Sequence, residues 1–324
     1  MKEGKIPSEL LRSLVFSNIR VKNKDVILRP EIGEDCAAID FGDYACVLST
    51  DPITGADKGA GTLAVHISCN DVASSGVKPL GLMITIMAPL STTEEDIRRI
   101  MKEAGDAAAE LDVEIIGGHT EITSAVNRVV ISTTALGKVL KDKIIKTSGA
   151  QVGDDVIMTK WAGLEGTSII VSDREAELKD KLPAEKLEYA KSFINHISVV
   201  KEGVIAAEAG AHCMHDVTEG GILGAVWEVA ESSDVGIEVD MDSIPIKEVT
   251  SELCRILDID PYRLISSGCM LITAQNGSAL VDELYRNGIE AAVIGRIIPE
   301  GRFMLRNGQR LELPPPDVDE LFNR

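Results

Sequence analysis

Aromatic side chains are scarce: Phe, Trp and Tyr together make up 3% of the 324 residues. Stacking surface for single-stranded nucleic acid is therefore lacking. Basic residues are also few, 33 Lys and Arg against 52 Asp and Glu, for a net charge of −19. Nucleic-acid affinity rests on cations neutralising phosphates, so a polyanion is excluded as main partner. The six cysteines, at 36, 46, 69, 213, 254 and 269, form no CxxC pair, which removes zinc-knuckle and thioredoxin-type readings. They read as reduced, mostly buried thiols. No apolar run approaches the length of a membrane span, and residues 1–17 carry Lys2, Glu3, Lys5 and Glu9 instead of a continuous apolar signal region. A cytoplasmic protein without nucleic-acid or membrane partners is the expectation. Three nucleotide signatures are missing as well: GxxxxGK[ST], GxGxxG and the kinase catalytic loop.

What is present is 44% hydrophobic residues, enough for cores built of Val, Ile, Leu, Ala and Met, and a length that suggests roughly two domains. The chain is organised around residues 66–79, HISCNDVASSGVKP. Small residues follow the polar pair Asn70-Asp71, which reads as a short helix against another backbone, with Asp71 near its N-terminus. There a carboxylate either caps the helix or serves a metal–phosphate group.

Residues 7–15 read as a short amphipathic helix after a flexible lead, with Leu10, Leu11, Leu14 and Val15 on its apolar face. Residues 26–28 read as a strand. Residues 37–41 and 44–49 form a hairpin about Gly42-Asp43. This brings Asp35 and Asp51, at the two open ends of the pair, side by side. Their repulsion is relieved if a cation lies between them. Residues 80–88, LGLMITIMA, suit a buried strand, and residues 91–111 an amphipathic helix with a Thr92/Glu95 capping box.

A strand at 113–116 runs into Gly117-Gly118-His119-Thr120, where two glycines would let the backbone approach a ligand. His119 is open to three readings: a base, a phosphate contact or a satisfied loop histidine. A polar stretch at 146–154 marks the boundary between an N-terminal domain, 1–148, and a C-terminal domain, 149–324. In the latter, 173–191 reads as a solvated helical excursion. The stretch 212–221, HCMHDVTEGG, leads into a helix that Asp216 or Thr218 could cap. His66 and Lys160 are weighed as phosphate contacts against structural roles, and His215 reads as structural. Cys36 is no nucleophile beside Glu34 and Asp35.

Five segments, in this order and spacing, resemble the aminoimidazole-ribonucleotide (AIR) synthetase-like superfamily: GEDCAA at 33–38, STD at 49–51, NDVASSGVKP at 70–79, GGHT at 117–120 and HDVTEGG at 215–221. The resemblance implies a two-domain α/β (α+β) fold, each sheet of about four strands, and a homodimer whose N-terminal sheets join as a β-barrel. It implies ATP and Mg²⁺ as cofactors, with Asp35, Asp51 and Asp71 as metal–phosphate carboxylates. Asn70, Gly117, Gly118 and Thr120 would line the nucleotide, and His119, Asp216 and Glu219 would be the catalytic set. The shared chemistry is activation of a substrate oxygen, often of a carboxamide, by phosphorylation.

Within the superfamily the hydrogenase-maturation branch, HypE, is nearest, through 70–82, 159–168 and 214–226. This implies a small-molecule or carboxamide substrate and a maturation partner protein. AIR synthetase activity, thiamine-monophosphate kinase-like activity and a non-catalytic nucleotide-binding scaffold are the alternatives. HypE ends in a carbamoyl-accepting cysteine, and here the last cysteine is Cys269. The family also commonly has an acidic residue at the position of His119. The tail LPPPDVDELFNR is accordingly expected to lie on the surface of the second domain, with Val318 and Leu321 packing locally.

Overall fold

A computed structural model of the chain describes residues 6–54, 59–316 and 318–322. The expected flexible lead 1–5 and Asp317 of the tail lie outside the described residues. The helices are α1 (Ser8–Leu10), α2 (Ala60–Ser74), α3 (Glu94–Leu111), α4 (Leu164–Asp173), α5 (Glu175–Leu178), α6 (Ala184–Lys191), α7 (Val200–Glu208), α8 (Gly221–Ser233), α9 (Glu248–Leu257) and α10 (Gly277–Arg286). The strands are β1 (Val26–Leu28), β2 (Ala37–Phe41), β3 (Tyr44–Ile53), β4 (Pro79–Ala88), β5 (Glu114–Ile122), β6 (Val130–Leu140), β7 (Asp155–Thr159), β8 (Cys213–Asp216), β9 (Gly236–Asp240), β10 (Met270–Ala274), β11 (Ala291–Ile298), β12 (Arg302–Arg306) and β13 (Gln309–Glu312).

Two mixed α/β layers result. Among the described residues, one sheet has six strands in the order β1-β2-β3-β6-β4-β5 and the other seven, β13-β12-β9-β11-β7-β10-β8. The expected sheets of about four strands are thus too small. Gly42-Asp43 turns β2 into β3 as its sequence requires, and β3 continues through Asp51 to Ile53. The parallel pair β4–β5 is joined by α3, the usual device for a parallel crossover. Helix α3 is capped one residue later than expected. Thr93 Oγ1 accepts from the amide of Asp96, whose carboxylate accepts from the Thr93 amide.

Strand β4 differs from the buried strand expected of it. Leu80 and Met83 are exposed, so one face of the N-terminal sheet is open, together with Ile116 and Ile122 of edge strand β5. The N-terminal apolar segment is likewise not buried: it begins as α1 and continues in tighter and wider turns, with Leu10, Leu14 and Val15 exposed. In contrast, 173–191 is more than a solvated excursion, because Leu178, Leu182, Leu187 and Ala190 enter the C-terminal core. No described helix is long and apolar enough to cross a membrane.

The two layers meet through α2. Gly203 of α7 lies so close that a Cβ there would stand 2.2 Å from the carbonyl oxygen of Ala73. Asn70, fully buried, ties the layers covalently distant from each other: its Nδ2 donates to Ile197 O at 2.8 Å, and its Oδ1 accepts from the Val199 amide at 2.8 Å. Both ends of the side chain are used to join the domains, with one N–H and one lone pair left over.

Candidate functional site

Asp71 sits in the last turn of α2, not near an N-terminus as expected. The backbone carbonyls of a helix C-terminus favour cations and disfavour a carboxylate. Asp71 is 4% exposed, and its Oδ2 accepts a hydrogen bond from Ser49 Oγ at 2.6 Å. Its carboxyl is held far above the usual range, first by burial, then by the charges of Asp216 and Asp51, a shared hydrogen bond with Asp51, and the charge of Asp35. Four carboxylates from four segments therefore meet: the loop before β2, β3, the end of α2, and the end of β8. Asp216 comes from the C-terminal layer, so the cluster straddles the domains.

The set is chemically uniform. Carboxylate oxygens with a nearby hydroxyl are hard donors, suited to Mg²⁺. Each added proton or cation relieves the same repulsion, and burial of Asp71 amplifies it. The residues present thus fit a divalent cation. One imidazole lies inside the cluster: ligand atoms of Asp35, His215 and Asp216 fall within 4.8 Å of one another. His215 is not free to ligate, however. Its Nδ1 lies 2.7 Å from Asp35 Oδ2 and its Nε2 2.9 Å from Glu228 Oε2. Burial opposes charge on the ring, yet Asp35 and Glu228 outweigh it and raise its pKa well above the ordinary value. Glu34, next in the loop, is pushed up to about 7, mainly by burial and then by Asp35. Cys36 donates to the carbonyl of Asp71, and burial with these acids drives its pKa well up, consistent with an inert thiol.

The remaining expected residues fall elsewhere. Gly117 and Gly118 do not form a turn at a strand end; they lie inside β5. The register slips there, Leu82 pairing with Ile115 but Met83 with Gly117, so Ile116 is the extra residue of a bulge. A Cβ at Gly118 would stand 1.9 Å from Ile84 O, and φ is +152°. Close strand pairing therefore explains that glycine without a ligand. His119 and Thr120 follow on the same edge strand and are exposed, with His119 Nε2 3.4 Å from Glu121 Oε2. Asp51 pairs with Thr133, Thr133 with Ile84, and Ile84 with Gly118. That row puts β5 three strand spacings, about 14 Å, from Asp51 within one chain.

Glu219 is exposed and acts on a second group of carboxyls, Glu165 and Asp319. Asp319 was missed. It is 3% exposed, and its Oδ2 accepts from the Gly220 amide at 2.7 Å, at the start of α8. The tail is thus seated at α8 by a buried carboxylate instead of resting on the surface, and neither Asp216 nor Thr218 caps the helix. Leu321 does pack on the C-terminal core, as expected of it. Lys160 is bound internally, 2.5 Å from Glu202 Oε1 and donating to the carbonyls of Ser198 and Gly268. It has no hydrogen left for a phosphate. His66 is buried, and burial followed by the charge of Lys160 lowers its pKa to about 4. Among the described residues its buried Nδ1 has no hydrogen-bond partner.

Comparison with known proteins matches residues 33–139 to the family description "AIR synthase related protein, N-terminal domain" and 151–306 to "AIR synthase related protein, C-terminal domain". A hydrogenase expression/formation protein of Methanocaldococcus jannaschii is 29% identical over 281 residues, 85% of this chain and 82% of the relative. The carbamoyl dehydratase HypE of Rhizobium leguminosarum bv. viciae is 28% identical over 290 residues, 85% of this chain and 79% of that one. The thiamine-monophosphate kinase of Pyrococcus horikoshii is 27% identical over 246 residues, covering 73% and 74%. Among solved structures, a HypE–HypF complex superposes with a TM-score of 0.77 at 23% identity, over 94% of this chain and 99% of the other. A HypE structure in complex with ATP gives 0.71 at 22% identity, over 99% and 97%.

Proposed function

We propose, for a chain that belongs to the AIR synthase related protein family, an ATP-dependent enzyme that activates an oxygen of its substrate by phosphorylation. The observation that carries this reading is the meeting of Asp35, Asp51, Asp71 and Asp216. Four buried or half-buried carboxylates drawn from two domains are a poor binding site for anything but cations, and a family with nucleotide-bound members supplies the reason for one there.

In this reading Asp35, Asp51 and Asp71 hold Mg²⁺, and Asp216 closes the site from the C-terminal domain. The domains are 1–148 and 149–324. Bound Mg²⁺ would neutralise the phosphates and polarise the transferred phosphoryl group. The chain's own part is positional. Ser49 holds Asp71, α2 presents it, and the Asn70 strut keeps the C-terminal layer against it. The six thiols are all buried or half-buried, which supports a substrate oxygen belonging to another molecule over an acceptor thiol of this sequence.

A homodimer through the open face and edge of the N-terminal sheet belongs to the same reading, since exposed strand edges favour pairing. It would bring β5 of one protomer, with Gly117, Gly118, His119 and Thr120, to a neighbour. A maturation partner protein is proposed because one relative is solved with such a partner.

Calorimetry with ATP, with and without Mg²⁺, tests the nucleotide site, and tight binding only with Mg²⁺ is expected. ADP release is then followed over carboxamides, phosphoribosyl substrates and thiamine monophosphate. Release with one class names the activity. Mg²⁺-dependent binding without release from any of them points to a scaffold.

A further inference from the structure

The candidate site is completed by two domains, and one set of contacts ties them together at its rim. Helix α8 of the C-terminal domain carries Glu228 and Ser232 one turn apart, on one side of the helix. Ser232 Oγ donates to the carbonyl of Ile32 at 2.5 Å. Gly33 follows with φ +76°, and a Cβ there would stand 2.7 Å from Ser232 Oγ and 3.3 Å from Glu228 Cβ. Two residues on, Asp35 Oδ2 meets His215 Nδ1 at 2.7 Å, and Glu228 Oε2 meets the other ring nitrogen at 2.9 Å. Segment 32–35 of the N-terminal domain therefore rests on α8 at Ile32 and Gly33, and its site carboxylate, Asp35, is linked to α8 through the His215 ring.

We propose that Glu228, His215 and Ser232 form an inter-domain clamp that positions Asp35 in the acidic cluster, so that the cation site is complete only while segment 32–35 is seated on α8. The inference rests on the Mg²⁺–nucleotide reading for its purpose, though not for its geometry. A carboxylate on a loop has rotamer and backbone freedom, whereas Mg²⁺ demands near-ideal placement of its oxygens. Here one oxygen of Asp35 is bound by a ring whose orientation is set from the far side by Glu228. Glu228 and His215 thus act through Asp35 and touch no substrate: they are positioning residues. Gly33 is required because a side chain would lift the loop off α8.

The test uses the full chain with Glu228→Ala, Glu228→Gln and Ser232→Ala; His215 itself is avoided because its loss leaves two buried carboxylates facing each other. The first readout is amide hydrogen exchange over residues 32–36, without metal or nucleotide. Exchange is expected to rise roughly tenfold or more in Glu228→Ala. Glu228→Gln should stay near wild type, because its amide oxygen still accepts from the ring. The second readout is the Mg²⁺ concentration that half-saturates ATP binding. It should rise about tenfold in Glu228→Ala, with affinity at saturating Mg²⁺ little changed and glutamine restoring it. Unchanged exchange in Glu228→Ala overturns the clamp. Faster exchange with an unchanged Mg²⁺ requirement overturns its positioning role. Failure of wild type to bind Mg²⁺–ATP overturns the functional reading alone, while the exchange measurement still decides the clamp.

Discussion

Replacing Glu165 with Gln should stabilise the protein at alkaline pH and leave it nearly unchanged at acidic pH. Glu165 lies on α4, is 5% exposed, and shares a hydrogen bond with Ser267. Among the described residues its Oε2 has no hydrogen-bond partner. Burial is the main force raising its pKa, from 4.5 to about 7, and the charges of Glu219 and Asp319 add to it. A folded-state value above the unfolded one means that the folded protein holds the proton more tightly. That contribution is complete below pH 4.5 and is lost as pH rises through about 7. Each tenfold difference in proton affinity is worth about 1.4 kcal/mol, so the loss in wild type is about 3 kcal/mol by pH 8, and under about 1 kcal/mol of it has occurred at pH 5.

Glutamine keeps the volume and an oxygen for Ser267 but does not titrate. The stability difference in favour of Glu165→Gln should therefore widen by about 2 kcal/mol between pH 5 and pH 8. Urea unfolding at unit pH steps, followed by tryptophan fluorescence, measures this; Trp161 lies in the same core. A difference that stays flat with pH, or that favours wild type at pH 8, would refute the account of Glu165 as a carboxyl kept neutral by burial.

Asp51→Asn and Asp71→Asn should each weaken Mg²⁺–ATP binding roughly a hundredfold by calorimetry while the metal-free melting temperature holds or rises, since both relieve repulsion in the cluster. Asp319→Ala should cost about 1–3 kcal/mol in urea unfolding, the usual cost of leaving a buried amide, here that of Gly220, without its acceptor. Gly203→Ala forces a methyl group into the Ala73 carbonyl and should destabilise by about 3 kcal/mol or more. Gly105→Ala, where a Cβ meets nothing within 4 Å, should stabilise α3 by up to about 1 kcal/mol in the same assay. Wild type should scatter light as a dimer at micromolar concentration, and Met83→Lys with Ile116→Lys on the open sheet face should give a monomer.

The elements legible in the sequence were those fixed by neighbours along the chain. Gly42-Asp43 announces the β2–β3 hairpin because a two-residue turn needs just such residues. Helix α3 shows its period and an acidic first turn, so only its cap was off by one. Asp35 and Asp51 could be paired through the hairpin, because an antiparallel register carries each end to the other. Asp71 was singled out by its company of small residues, but its position in the helix was reversed. Nothing in residues 66–79 reveals that α2 begins as early as Ala60.

What escaped the sequence depends on partners far along the chain. Asn70 looks like a polar group offered to a ligand until Ile197 and Val199, more than 120 residues away, take both of its ends. Glu228 sits mid-helix among apolar residues and resembles any solvated glutamate; it meets His215, 13 residues away, and that ring in turn meets Asp35 across 180 residues of separation. The glycine pair behaves unevenly. At Gly118 the space is taken by the carbonyl of Ile84 in the neighbouring strand, whereas beside Gly117 it is open. Glycine marks a close approach of something, and sequence does not say what approaches. A carboxylate cluster is different in kind. Its members repel, so gathering them is tolerated only where a cation or proton compensates, whichever distant segment supplies each one. That asymmetry is why the acidic residues marked the cluster more directly than the glycines, histidines and amides did.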